Sequence, residues 1–163
     1  MNPIERSAKL KKEADELLQK IRLAELCRDI GVLTPTGSYY LDLMVYPDID
    51  LYIPPTTPRK LFQIAAHLVE NYPIKSVSFL NGGPGPLEHG IYIKPVIAVG
   101  EWERPWKIDI WSVDQNFIIE KSAEMRNFKE RMTPEQRELI INYKLSILTP
   151  EYRTPMFRGI YIY

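Results

Sequence analysis

The chain is poor in several features that define familiar classes of protein. Its 163 residues include one cysteine, Cys27, which excludes an internal disulfide and a metal site built from several cysteines. Two histidines, His67 and His89, have no partner by spacing, and we assign them no role. No apolar run approaches the length of a membrane span, and the first residues lack the apolar segment of a signal peptide. We therefore expect a cytoplasmic protein that does not bind membranes.

An excess of basic charge is also missing. Lys and Arg together number 21, as do Asp and Glu, so the formal net charge is zero. Proteins that grip long nucleic acids through their phosphates carry a clear basic excess. We expect no long nucleic acid as a partner, and a small-molecule or protein partner is favoured instead.

What the sequence does contain is a pair of closely spaced acids, Asp48 and Asp50, in an extended stretch. Alternate residues of a strand point to the same side, so both carboxylates should project together while Ile49 and Leu51 face the core. Neighbouring carboxylates repel each other unless a cation neutralises them, and Mg²⁺ prefers such oxygen ligands. The same pattern also fits a solvent-facing polar edge without a metal.

A Gly-Ser turn precedes the acidic pair. Gly37 and Ser38 follow a short apolar run, and residues 39–47 separate them from Asp48. Glycine lets the backbone approach a phosphate closely, and a serine hydroxyl can donate a hydrogen bond to it. The turn is therefore a candidate phosphate contact next to a candidate metal site.

A third acid, Asp109, stands at the centre of a later alternating run, 106–111. The runs 89–99 and 104–112 predict an antiparallel hairpin whose second strand carries this residue. Lys107 and Trp111 should share its face of the sheet.

The Gly-Ser turn, the Asp-apolar-Asp-apolar strand and the later carboxylate together resemble the signature of the nucleotidyltransferase superfamily, which shares the fold of DNA polymerase beta and includes antibiotic and minimal bacterial nucleotidyltransferases. The resemblance covers residues 30–112. It implies a mixed twisted sheet with the turn and the aspartates at one end.

The resemblance also implies an activity, the transfer of a nucleoside monophosphate from ATP or another nucleoside triphosphate to a hydroxyl group. Asp48, Asp50 and Asp109 would be catalytic and would hold Mg²⁺ or Mn²⁺, and Asp109 could instead take the acceptor's proton. Gly37 and Ser38 would bind the terminal phosphates. The acceptor would be a small molecule or a protein side chain, and a homodimer in which a neighbouring subunit completes the site stays open.

The sequence departs from the family pattern after the Gly-Ser turn. Many family members have an arginine there, whereas this chain has Tyr39 and Tyr40 and no Lys or Arg before Arg59. The triphosphate would need a basic residue from elsewhere, and we name Lys107 as a nucleotide-binding residue, with Lys144 and Arg153 as further candidates. The missing arginine favours an alternative, a catalytically silent nucleotide- or metal-binding module that acts as a partner or regulatory subunit. Tyr39, Tyr40 and Tyr52 are candidates for stacking on a base.

Hydrophobic periodicity and capping signals predict an α/β (α+β) chain with a mixed sheet of about five strands flanked by helices. We expect a nucleotidyltransferase-like core over residues 1–113 and a helical C-terminal extension over 114–163. The predicted helices are one long helix from Asn2 to Gly31, a short one at 39–45, one from Thr57 to Tyr72, two after Asp114, and a last one over the tail 154–163. The predicted strands are 32–36, 48–53, 75–81 and the two strands of the hairpin.

Overall fold

The computed structural model describes residues 1–83 and 85–147 of the chain. These residues form six α-helices and five β-strands, with a short 3₁₀ helix at Gly85–Leu87. The predicted fold class, a mixed sheet flanked by helices, is confirmed. The elements in chain order are α1 (Pro3–Lys20), α2 (Leu23–Leu26), β1 (Thr34–Thr36), α3 (Gly37–Leu41), β2 (Asp48–Ile53), α4 (Pro58–Asn71), β3 (Ile74–Asn81), β4 (Ile91–Ile97), β5 (Trp106–Ser112), α5 (Gln115–Arg131) and α6 (Pro134–Ser146).

The five strands form one sheet in the order β1-β2-β5-β4-β3. Strands β2 and β5 are parallel, and every other pair in the sheet is antiparallel. The predicted hairpin of β4 and β5 is confirmed. The parallel pair decides the geometry of the site, because its register sets Asp50 directly opposite Asp109 and Asp48 opposite Lys107.

The main core lies on one face of this sheet. Residues of β2 and β5 alternate between buried and half-buried positions, with Ile49, Leu51, Ile108 and Ile110 all buried. They pack with apolar side chains of α1, α2 and α4. Burial of this kind contributes roughly 25 cal/mol per Å² of apolar surface, so the register of both strands is strongly fixed. The opposite face is left for the polar residues that alternate with this core.

The predicted N-terminal helix is interrupted. It begins as expected, with a capping box between Asn2 and Glu5, but ends at Lys20 rather than running to Gly31. Arg22 has a left-handed backbone (φ 52°), and the four-residue helix α2 follows it. The turn leaves Leu23 and Cys27 fully buried, and burying these side chains offsets the roughly 1–2 kcal/mol cost of the left-handed residue.

Helices α5 and α6 follow Asp114 as predicted, but α6 presents a different face from the expected one. The helical spacing of Leu139, Ile140, Tyr143 and Ile147 in the sequence predicts that these residues face inward. In the structure, however, Leu139 and Tyr143 are 69% and 52% exposed. The buried residues of α6 are Ile141 and Lys144. The reason is the surface that α6 meets: a small apolar cluster follows α3 and encloses Ile141, and its other buried members are Leu41, Leu43 and Val45.

Other element bounds agree closely with the sequence. Strand β2 spans the predicted residues, and β3 and α4 begin or end within one residue of expectation. Strand β1 and helix α3 are shorter than predicted. Within the described residues, no helix combines the length and the apolar character needed to cross a membrane. The predicted helix over 154–163 and the candidate Arg153 lie outside the described residues.

Candidate metal centre

Three carboxylates meet where β2 and β5 run side by side. Asp48, Asp50 and Asp109 each offer one oxygen, and these three oxygens all lie within 4.8 Å of one another. The three side chains are half-buried on the sheet face opposite the main core. The structure therefore brings together the three acids that the sequence singled out.

The pKa values of all three carboxylates are raised. Burial raises the pKa of Asp50 to about 7, and the charge of Asp109 adds to the effect. Burial and the charge of Asp50 raise the pKa of Asp48 well above its ordinary value, and burial also raises the pKa of Asp109. Carboxylates in this state hold protons at a pH where exposed ones do not, and a bound cation would replace those protons.

One oxygen of the cluster has no hydrogen-bond partner. Among the described residues, Asp48 Oδ1 is a buried side-chain oxygen that accepts no hydrogen bond. A buried acceptor without a partner costs roughly 1–3 kcal/mol, so such groups are rare unless something outside the chain satisfies them. Three carboxylates with one unsatisfied oxygen fit a hard divalent cation such as Mg²⁺ or Mn²⁺.

The Gly-Ser turn lies directly against these acids. Gly37 is the first residue of α3, with a left-handed backbone (φ +57°), and a Cβ at this position would stand 2.4 Å from Asp50 Oδ2. Glycine is therefore required here twice, by its backbone conformation and by the close approach of the carboxylate. The turn and the carboxylate of Asp50 are therefore in direct contact.

Lys144 supplies the positive charge that the sequence lacks after Ser38. Its side chain is 5% exposed, and Nζ donates to Ser38 Oγ at 2.5 Å and to the Leu43 carbonyl oxygen at 2.8 Å. Burial lowers the pKa of Lys144 to about 8, while the charges of Asp50 and Asp48 oppose that shift. The sequence named Lys144 only as one of several basic candidates, because nothing in its helix pattern indicated which way it pointed.

Lys107 lies on the other side of the carboxylates. It sits on β5 opposite Asp48, whereas Gly37 and Ser38 follow β1 at the far side of β2. Its charge lowers the pKa of Asp48 and Asp109 and so partly offsets the effect of burial.

The tyrosines that the sequence offered for base stacking have other contacts. Tyr39 is a core residue whose hydroxyl donates to Asp15 at 2.7 Å, which leaves its ring closed to a base. Tyr40 lies under the ammonium of Lys129, and Tyr52 packs edge-to-face on Phe117.

Sequence reasoning missed Tyr92. This side chain on β4 is 5% exposed, and its hydroxyl donates to Asp109 Oδ1 at 2.8 Å. Its ring packs on Trp111, with 4.6 Å between the ring centroids. The predicted hairpin could have indicated this contact. Antiparallel pairing sets Tyr92 opposite Trp111, on the sheet face that carries Asp109.

A scan against protein-family models gives no match, and a search of curated proteins gives none either. The resemblance to nucleotidyltransferases therefore rests on the residues themselves.

Proposed function

We propose that this protein is a Mg²⁺-dependent nucleotidyltransferase, which transfers a nucleoside monophosphate from ATP or another nucleoside triphosphate to a hydroxyl group of a small molecule or protein. The observation that carries the proposal is the convergence of three carboxylates beside a glycine turn that already holds a buried ammonium group. The carboxylates would bind the cation, the glycine turn would let the backbone approach a phosphate closely, and the ammonium group would supply positive charge to that phosphate.

The carboxylates have two tasks in this reaction. Asp48, Asp50 and Asp109 would hold the metal ion, which when bound neutralises charge on the phosphates and stabilises the charge that develops during transfer. The acceptor oxygen attacks the α-phosphorus, the bond to the β-phosphate oxygen breaks, and pyrophosphate leaves. Asp109 lies beside Asp48 and Asp50 and, where it is not itself bound to the metal, is placed to take the proton of the acceptor hydroxyl.

Ser38 and Lys144 would bind the terminal phosphates as one unit. The ammonium group already contacts the serine hydroxyl, so both donors are positioned before the nucleotide arrives. Burial lowers the pKa of Lys144. The negative charge of a bound phosphate would raise that pKa again and keep the ammonium group protonated. This ammonium removes the main argument for a silent module, namely the absence of a basic residue after Ser38.

The test is a thermal-shift titration with ATP, CTP, GTP and UTP, each with and without Mg²⁺. Ligand that binds only the native state at about a hundred times its Kd stabilises by roughly 2.7 kcal/mol, which raises the Tm by several degrees in a chain of this size. We expect this rise with at least one nucleotide, only with Mg²⁺, and not in Asp48→Asn/Asp50→Asn. The exposed Asp29 provides a control, Asp29→Asn, that should keep the shift.

A second measurement separates the two functions. Pyrophosphate release, followed across a panel of hydroxylated acceptors, should accompany nucleotide binding in the wild type. Mg²⁺-dependent binding without any release would favour the silent module instead. No shift with any nucleotide would refute the enzyme and leave a module that binds a metal or another ligand.

A further inference from the structure

The sheet face that carries Asp48, Asp50 and Asp109, here called the carboxylate face, extends across the neighbouring strands β4 and β3. Ile93 pairs with Ile110 and Val96 with Lys107, which sets Lys94 of β4 opposite Asp109. Lys94 in turn pairs with Ser78 of β3. The row that begins with Asp50 and Asp109 therefore ends with a lysine and a serine.

Lys94 and Lys107 differ from most other lysines of the described chain. Both are half-buried, and within residues 1–83 and 85–147 neither side chain forms an ion pair or a hydrogen bond. Both charges lower the pKa of Asp109, so both ammonium groups act on the carboxylate cluster. By contrast, Lys11, Lys121 and Lys129 each have a carboxylate within 2.7 Å.

Strand β3 adds hydroxyl groups to this area. Its Val77 and Phe79 pack against the main core, so Ser76 and Ser78 point to the carboxylate face, where both are exposed. We call Lys94, Lys107, Ser76 and Ser78 the basic shelf. Among the described residues it carries two half-buried ammonium groups and two exposed hydroxyl groups, and it borders the carboxylates of Asp48 and Asp109.

The basic shelf lies on the acceptor's side of the proposed reaction. Ser38 and Lys144 stand at the β1–β2 side of the carboxylates, and the shelf stands at the β5–β4–β3 side. A nucleotide with its terminal phosphates at Ser38 thus leaves the shelf to the second substrate, next to Asp109.

We infer that the basic shelf binds a phosphate group of the acceptor, so that the acceptor is a hydroxyl compound carrying a phosphomonoester. This inference rests on the proposed function for the identity of the second substrate, but not for the anion site itself. Two ammonium groups match the nearly two negative charges of a phosphomonoester at neutral pH, and the serine hydroxyls match its several acceptor oxygens. A polycationic acceptor would meet repulsion at the same surface.

The experiment uses glycerol 3-phosphate, glycerate and glycerol as probes of the full chain, followed by ¹⁵N chemical-shift titration. Each titration is made on metal-free protein and again with Mg²⁺ and a non-hydrolysable nucleoside triphosphate analogue. We expect glycerol 3-phosphate to bind, with shifts confined to β3, β4 and β5, and neutral glycerol not to bind. Lys94→Gln/Lys107→Gln should weaken the binding of glycerol 3-phosphate to the metal-free protein, where no nucleotide is bound, by about tenfold or more.

The control is Lys12→Gln/Lys20→Gln, which makes the same change of net charge on α1. This variant should bind the probe as wild type does. Equal binding by the two double variants would overturn the inference, and so would shifts scattered over the surface. Glycerate binding as tight as that of glycerol 3-phosphate would overturn the assignment of a phosphate group. If the nucleotide fails to bind while glycerol 3-phosphate still titrates the shelf, the proposed function fails and the anion site stands.

Discussion

Removing one carboxylate of the candidate metal centre should make the metal-free protein more stable at neutral and higher pH. The variant is Asp50→Asn, which keeps the shape of the side chain but removes its charge. Burial and the neighbouring Asp109 raise the pKa of Asp50 from its ordinary value of 3.8 to about 7. The folded state therefore holds a proton that the unfolded chain releases near pH 4.

The sign of the effect follows from proton binding. Between about pH 4 and pH 7 the folded state binds more protons at Asp50 than the unfolded state does, so stability falls as the pH rises through that window. At about 1.4 kcal/mol for each pH unit, a pKa moved from 3.8 to about 7 sets a ceiling of roughly 4 kcal/mol. This pKa already contains the attraction of Lys144. Burying the amide of the variant costs roughly 1–3 kcal/mol, so we expect a net gain of about 2 kcal/mol at pH 8.

Urea unfolding in the presence of EDTA, at pH 4 and pH 8, measures this directly. Wild type should lose stability between the two pH values, Asp50→Asn should lose less, and the two proteins should converge at pH 4, where both side chains are neutral. Saturating Mg²⁺ at pH 8 should restore stability to wild type but not to the variant. Asp29→Asn is the control for a change of one exposed charge.

The reasoning would be refuted by a variant that is less stable than wild type at pH 8 without metal. The same conclusion would follow if the stability of wild type stayed flat from pH 4 to pH 8, because the carboxylates would then carry no repulsion for a cation to relieve.

Three further substitutions test the parts of the site around this acid. Gly37→Ala should destabilise the fold by about 2 kcal/mol and abolish Mg²⁺-dependent nucleotide binding, because its methyl group meets Asp50 Oδ2 in a left-handed backbone; urea unfolding and thermal shift measure the two effects. Tyr92→Phe should weaken Mg²⁺ binding by about tenfold, since Asp109 loses the hydroxyl that orients it; calorimetric titration of the metal measures this. Lys144→Met should keep the fold but weaken nucleotide binding by about tenfold or more, as measured by the same thermal-shift titration.

Two of these variants have close controls in the chain. Tyr39→Phe removes an equally buried hydroxyl that donates to Asp15, and it should leave Mg²⁺ affinity unchanged. Lys129→Met removes an ammonium group that donates to the Tyr40 carbonyl, and it should leave nucleotide affinity unchanged. If Tyr92→Phe matched Tyr39→Phe in Mg²⁺ affinity, the hydroxyl would have no part in positioning Asp109. If Lys144→Met matched Lys129→Met, the phosphates would bind elsewhere.

The sequence was most informative in the strands, where successive side chains alternate between the two faces of the sheet. Strand β2 alternates strictly between buried apolar residues and half-buried polar ones, so both its limits and the shared direction of Asp48 and Asp50 could be predicted. Asp109 could be found for the same reason, since it lies at the centre of an equally regular strand. The parallel register that sets Asp50 opposite Asp109 could not be predicted from local pattern. The family resemblance implied only a mixed sheet with the aspartates at one end.

Features that depend on long-range packing could not be predicted. The inward face of α6 is set by the apolar cluster that encloses Ile141. Lys144 also lies inward, because Ser38 Oγ and the Leu43 carbonyl oxygen accept hydrogen bonds from its ammonium group. Apolar periodicity indicated Leu139 and Tyr143 instead, and both are exposed. The break at Arg22 was hidden for a similar reason, since no glycine or proline marks it and only the burial of the following residues explains it.

The parallel pairing of β2 with β5 also has a consequence for how the protein folds. Between these neighbours the chain forms α4, β3 and β4, so the three acids meet only through a contact of large sequence separation, and such contacts slow folding. Forming that contact at neutral pH also requires like charges to approach each other. We therefore expect refolding to be faster when the acids are protonated or when Mg²⁺ is present. We also expect Mg²⁺ affinity to appear during refolding only when β2 has paired with β5.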